Sequence, residues 1–261
     1  MSLDQPAQFV KHQTITCDAF LGGRLTLSQP KSGFRAGLDS VLLAAAVREG
    51  TQNLLDLGAG VGTAGLCALA MARAAKAQLV ERDEAALTLA RDNIARNGLS
   101  DRANALALDI LAKGAERRAA GLRDNAYDGV IANPPFFGAG QGTRAPDESR
   151  ADARHMDATQ LETWVKCAAS AASAGGMVVF IYPAEGMIAL LAAFDRRFGN
   201  ITVLPLVPRP GAPATRILVR GIKGSRAPLT LLPARALHGP EGNGFAAEFD
   251  AILRGATVLD W

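Results

Sequence analysis

The chain has 261 residues, 49% of them hydrophobic and 20% charged, with a formal net charge of +3. That length suits one large α/β domain with a small appendage, and the composition excludes disordered and fibrous classes. No apolar run reaches membrane-span length before Arg, Asp or Gly interrupts it, and MSLDQPAQFVKHQ lacks the blocks of a secretory signal. Cys17, Cys67 and Cys167 lie far apart, as do His12, His155 and His238, so neither a metal site nor a disulfide frame is expected and a reducing cytoplasm is.

From about Cys17 to Gln29, FLGGRLTLSQP reads as two short strands turning at Gly22-Gly23. Asp39-Ser40 then offers a cap for a helix through VLLAAAVRE, stopped by Gly50. Apolar strands follow at 53–57, 78–82, 103–109, 127–133 and 176–182, with helices near 61–75, 84–97 and 157–173 and a weaker one near 111–121. Asn97-Gly98 and Gly175-Gly176 are read as helix ends. Beyond these come a helix at 185–198, strands at 200–208 and 215–223 joined by PRPGAP, and helical spacing in GFAAEFDAILRG. Apolar strands alternating with helices imply a doubly wound, Rossmann-like α/β sheet, mostly parallel, with an antiparallel hairpin at its edge and a small N-terminal β-hairpin.

Chemistry concentrates at the carboxyl ends of these strands. Asp56 closes the first, and Gly58-Ala59-Gly60-Val-Gly62 turns into a helix whose free N–H groups attract negative charge. Gly60 to Gly65 also fits G-x-G-x-x-G, and Glu81-Arg82 end the next strand where a carboxylate bridges ribose hydroxyls. On these features alone a nicotinamide dinucleotide and S-adenosylmethionine are not separable. The later strands separate them. Asp109 closes the third strand, placed to accept from an adenine amino group, and the fourth ends in Asn133-Pro134-Pro135-Phe136, a tetrapeptide without use in a dehydrogenase.

Methylation of a planar nitrogen does need such a turn. The lone pair of a conjugated amine is delocalised, and two acceptors, the Asn133 amide oxygen and the Pro134 carbonyl, hold its two hydrogens and make it more available. The prolines fix the direction of that carbonyl, and Phe136 offers a stacking face. The bland reading of Asn-Pro-Pro is a rigid turn after a strand. Upstream, Phe34, Arg35, Gly37 and Asp39 form a loop expected to close over the cofactor, although Asp39 as a simple helix cap is the usual role for such a residue.

Residues 201–261 hold seven basic and four acidic side chains, so the whole net charge falls there. Arg209, Arg216, Arg220 and Lys223 are therefore candidates for contact with RNA phosphates, a solvated surface being the alternative.

With these residues assembled, the chain resembles class I methyltransferases. It is most similar to the bacterial tRNA1(Val) adenine-N6 methyltransferase family, through FLGGRLTLSQPKSGFRAGLDSVLLAA, LDLGAGVGTAGL, IANPPFFGAG and EGNGFAAEFDAILRG. The resemblance implies a seven-stranded sheet with an antiparallel last strand, S-adenosylmethionine as donor, and Asn133 to Phe136 around the target amine. Residues 1–38 are expected as hairpin and closing loop and 39–261 as the methyltransferase domain, one structural domain overall, with tRNA or another structured RNA as the partner the resemblance implies and, from composition and Cys/His spacing, neither membrane nor metal. Phe136 stands where Tyr is common, and Met156 follows His155 where relatives carry an acid, so His155 is given no catalytic role. Three other readings stay open: methylation of a protein glutamine, O-methylation of a small molecule, and RNA binding without turnover.

Overall fold

The computed structural model describes residues 15–32, 35–135 and 158–261. Phe34, Phe136, His12 and His155, singled out above, lie outside the described residues. Strands β1 (Ile15–Phe20) and β2 (Leu25–Pro30) form the expected antiparallel hairpin, from Ile15↔Pro30 to Phe20↔Leu25. Its turn holds Leu21, Gly22 and Gly23 at positive φ, which glycine adopts without strain.

Helix α1 (Leu38–Ala45) follows, but Asp39 does not cap it: Gly37 is the N-cap, and Asp39 sits in the first turn. There its carboxylate meets Arg216 Nε at 3.0 Å. The chain then alternates through β3 (Thr51–Leu57), α2 (Thr63–Ala70), β4 (Ala74–Glu81), α3 (Glu84–Arg96), β5 (Ala103–Ala107), α4 (Gly114–Ala119) and β6 (Tyr127–Ala132). It continues with α5 (Ala158–Ala171), β7 (Ala172–Pro183), α6 (Met187–Asp195), β8 (Phe198–Val207), β9 (Arg216–Lys223), the two-residue strands β10 (Thr230–Leu231) and β11 (Arg235–Ala236), and α7 (Ala247–Leu253).

The sheet runs β8-β9-β7-β6-β3-β4-β5, with β10 and β11 both pairing with β8. All pairs are parallel except those of β9, which is antiparallel to β7 and to β8. The expected edge hairpin is thus present with its second strand inserted inward. Strand order reverses at β3, which has β4 on one side and β6 on the other. Such a switch point opens a crevice at the carboxyl edge.

Alternation along the buried strands sends residues into two apolar layers. Leu54, Leu79, Val179 and Leu218 pack under α1 and α2, while Leu55, Leu57, Phe180 and Val219 pack under α5 and α6. Leu21, Leu25 and Leu27 of the hairpin share the first layer, so the hairpin is continuous with the main core.

Several expected boundaries move: the first helix ends at Ala45, the strand expected over 78–82 begins at Ala74, and the strand expected to close on Asp109 ends at Ala107. The helix expected over 61–75 ends at Ala70, because Ala72 turns left-handed (φ 55) to start β4 at Ala74. Gly175 and Gly176, read as a helix end, lie inside β7, where the pairing with β6 shifts register. Among the described residues no helix is long and apolar enough to cross a membrane.

Candidate active site

Register alone brings the site together. Leu57 pairs with Val80 on one side and Ala132 on the other, so Gly58, Glu81 and Asn133, each the next residue, leave the sheet edge side by side. Gly58, Gly60 and Gly62 take φ of 69°, 57° and 90°, the left-handed region that only glycine enters without strain. Gly65 serves differently: an added Cβ would overlap Leu79 Cδ2 and stand 3.2 Å from Asp56 Oδ2, so its bareness lets α2 settle on the sheet.

A cleft of about 370 Å³ opens above this edge, within the usual range for small-molecule sites. Asp56, Gly58, Ala59, Gly60, Glu81 and Asn133 line it. Glu81 Oε2 accepts the Gly60 N–H at 2.9 Å, and Oε1 accepts those of Arg82 and Asp83, both at 2.8 Å. The carboxylate is held rigidly and keeps acceptor capacity on Oε2. Asp56 is 2% exposed and accepts the Gly65 N–H at 2.8 Å. Burial pushes its pKa up to about 7, against the Gly65 bond and with a smaller push from the Glu81 charge. Asn133 Oδ1 is buried with no hydrogen-bond partner among the described residues. Pro134 behind it is buried and Pro135 exposed.

Other expected residues stand outside the lining. Asp109 Oδ1 accepts the Leu111 N–H at 2.9 Å, while Oδ2 lies 3.6 Å from Arg82 Nη1. Arg35 bonds Thr16 Oγ1 at 2.8 Å, the Pro30 carbonyl at 3.0 Å and Asp18 at 2.7 Å, so it fastens the closing loop to the hairpin. Gly37 and Asp39 begin α1, and Gly62 caps α2.

The cleft has lining to which the sequence pattern gave no site role, notably Gln29, Ser40 and Asp83. Asp83 had a signal, since an Asp before a helical run is a typical N-cap, and its side chain accepts the Ala86 N–H. Gln29 is buried in β2 and clasps Ala36 as a strand would, accepting its N–H at 2.8 Å and donating to its carbonyl at 3.4 Å. Nothing in a period-2 pattern announces that.

The four basic candidates do not form one patch. Arg220 reaches one face of the sheet, donating to the Trp261 carbonyl with its guanidinium 4.7 Å from the indole centroid. Lys223 reaches the other face, donating to Asn125 Oδ1 and to the carbonyls of Ala169 and Ala172, each at 2.7 Å. Arg209 donates to the Gly239 carbonyl at 2.9 Å, and Arg216 pairs with Asp39. Arg216 and Lys223 are the two ends of β9, roughly 24 Å apart at strand rise.

These features fit S-adenosylmethionine: a glycine loop open to close approach, a fixed carboxylate of the kind that can accept from a ribose diol, a crevice of suitable size, and at its lip an amide oxygen with no partner among the described residues. Comparison with known proteins agrees. Residues 35–154 match the model of the methyltransferase small domain. A tRNA1(Val) (adenine(37)-N6)-methyltransferase of Bacteroides thetaiotaomicron is 28% identical, over 75% of this chain and 80% of the relative. That of Actinobacillus succinogenes is 30% identical, over 64% and 69%. The crystal structure of a predicted O-methyltransferase from Agrobacterium tumefaciens superposes with a TM-score of 0.70 at 29% identity, covering 85% of this chain and 98% of that one. The chain belongs to the bacterial tRNA1(Val) (adenine(37)-N6)-methyltransferase family and is an S-adenosylmethionine-dependent methyltransferase of class I.

Proposed function

We propose that the protein methylates the exocyclic N6 of an adenine in tRNA. One observation carries the reading: Asn133 Oδ1 is buried at the lip of the cofactor cleft with no partner among the described residues. An acceptor left so is costly unless a donor arrives from outside the protein, and an amino group is such a donor. When bound, S-adenosylmethionine supplies an electrophilic methyl on a sulfonium. Glu81 would hold the ribose hydroxyls, and Asp109 would exchange its long contact with Arg82 for the cofactor's own adenine amine.

Asn133 and the Pro134 carbonyl would each take one hydrogen of the target amine, turning its lone pair toward the methyl. Pro134 and Pro135 restrict the turn, so alignment supplies most of the acceleration. A base paired within a helix must leave its stack to reach the site, and Phe136 would receive its face. Arg209, after β8, and Arg216, at the start of β9, stand at the same sheet edge as Asn133 and are the basic residues suited to steady the RNA. Arg220 and Lys223 would add only long-range charge.

The relatives named for adenine-N6 methylation favour this acceptor over a protein glutamine, and the Agrobacterium neighbour's name keeps an oxygen acceptor as the competing outcome. The test is transfer of labelled methyl to unmodified tRNA, then digestion and identification of the labelled nucleoside. N6-methyladenosine supports the reading. Label on oxygen, on ring carbon or only on protein overturns it.

A further inference from the structure

Helix α3 carries Asn93, and its C-cap Asn97 follows one turn later, on the face that meets β2. Four helical residues rise about 6 Å and two strand residues about 6.7 Å, so the two carboxamides fall into step with Thr26 and Ser28. Each then behaves as a neighbouring strand would. Asn97 Oδ1 accepts the Thr26 N–H and its Nδ2 donates to the Thr26 carbonyl, both at 3.0 Å. Asn93 Oδ1 accepts the Ser28 N–H at 2.7 Å, and its Nδ2 donates to the Ser28 carbonyl at 3.1 Å.

The second amide hydrogen distinguishes them. Asn97 returns it to its own helix, donating to the Asn93 carbonyl at 2.8 Å. Asn93 donates it to the Val61 carbonyl in the glycine loop, at 3.0 Å. Asn93 is fully buried and both its amide hydrogens are engaged, so it acts through the backbone it holds and not on a ligand. The backbones it joins flank the cleft: Val61 lines it, and so does Gln29, the residue after Ser28.

We propose that Asn93 is a positioning residue for methyl transfer, fixing the distance between the hairpin wall and the glycine loop on either side of the cofactor. The proposal rests on reading the cleft as the S-adenosylmethionine site. Asn97 is the internal control, since it docks the same strand without touching the loop.

The experiment is titration calorimetry of the full chain with S-adenosylmethionine and S-adenosylhomocysteine, beside steady-state kinetics and thermal melting. Asn93→Ala is expected to raise the Kd and KM for S-adenosylmethionine about tenfold with kcat within about twofold of wild type, the signature of weakened ground-state binding. Asn97→Ala is expected to lower the Tm comparably and leave that Kd unchanged. Should Asn93→Ala not fold, Asn93→Asp keeps the side-chain length and the acceptor for the Ser28 N–H while replacing the donor to the Val61 carbonyl by an oxygen, and the same rise is expected. Wild-type affinity in the folded Asn93 variant, or an equal loss in Asn97→Ala, overturns the assignment. Failure of the wild-type chain to bind S-adenosylmethionine would instead remove the reading of the cleft.

Discussion

Asn133 and Glu81 both stand at the cleft, but their side chains differ in what they already hold. Glu81 has three backbone donors in place, so in the proposed reading it would be a preformed acceptor for the cofactor. Glu81→Ala is expected to weaken S-adenosylmethionine binding by about 1–3 kcal/mol, read by titration calorimetry. Asn133 Oδ1 has no partner among the described residues, and in the proposed reaction its donor would be the target amine. Asn133→Ala is expected to leave cofactor affinity nearly intact while kcat falls by about 10²–10³, the scale for a polar group acting mainly in the transition state. Asp56 differs again, because its native pKa of about 7 exceeds the ordinary carboxylate value near 4. The native state then binds the proton more tightly than the unfolded chain, so this group's contribution falls as pH rises from about 4 to 7. Asp56→Asn, which keeps an acceptor for Gly65, should lose less stability than wild type across that window in denaturant titrations. Parallel stability curves for the two proteins would show that Asp56 does not titrate there.

At the scale of elements, α2 shows what the sequence can and cannot disclose. Its glycines were legible as a tight turn, and Gly65 fitted the last position of the fingerprint, because the physical requirement is local. Its end was not legible. MARAA reads as good helix, and only the need to bring β4 back beside β3 forces Ala72 left-handed. The same logic hides Gly175 and Gly176, whose local signal is a helix stop but whose tertiary place is an irregular strand. Polar residues that dock one backbone on another, buried (Gln29, Asn93) or half-buried (Asn97), were the least visible. Gln29, Asn93 and Asn97 substitute for missing strand partners, a role fixed by what lies opposite and not by sequence spacing. Gly65→Ala tests the legible part. Its Cβ would overlap Leu79 and crowd Asp56, so a loss of about 1–3 kcal/mol by overpacking is expected, with cofactor affinity falling as α2 lifts from the sheet. Wild-type Tm and affinity would mean that Leu79 simply rotates away.

Across the whole molecule, the surplus of positive charge lies in residues 201–261, but the fold scatters the cluster that looked continuous in sequence. Successive residues of β9 point to opposite faces, so Arg220 and Lys223 go to different layers, where they tie the chain terminus and α5 to the sheet. Burial lowers the pKa of both, with the Arg48 charge adding to the effect at Arg220 and the Asp124 carboxylate opposing it at Lys223. Arg209 and Arg216 lie at the site edge, one bonded to carbonyls and the other paired with Asp39. If RNA docks at that edge, a phosphate can displace the partly exposed Asp39 from Arg216 and share Arg209 with its loop. Binding should then weaken steeply with salt, and each phosphate no longer neutralised should flatten the slope of log affinity against log salt by about 0.7–0.9. Arg209→Gln with Arg216→Gln is expected to remove roughly 1.4–1.8 from that slope, measured by tRNA binding between low and moderate salt. Arg220→Met and Lys223→Met should instead lower the Tm by removing internal hydrogen bonds and change the slope little. The reverse pattern, with the slope carried by Arg220 and Lys223, would place the RNA along the length of β9 and away from the catalytic edge.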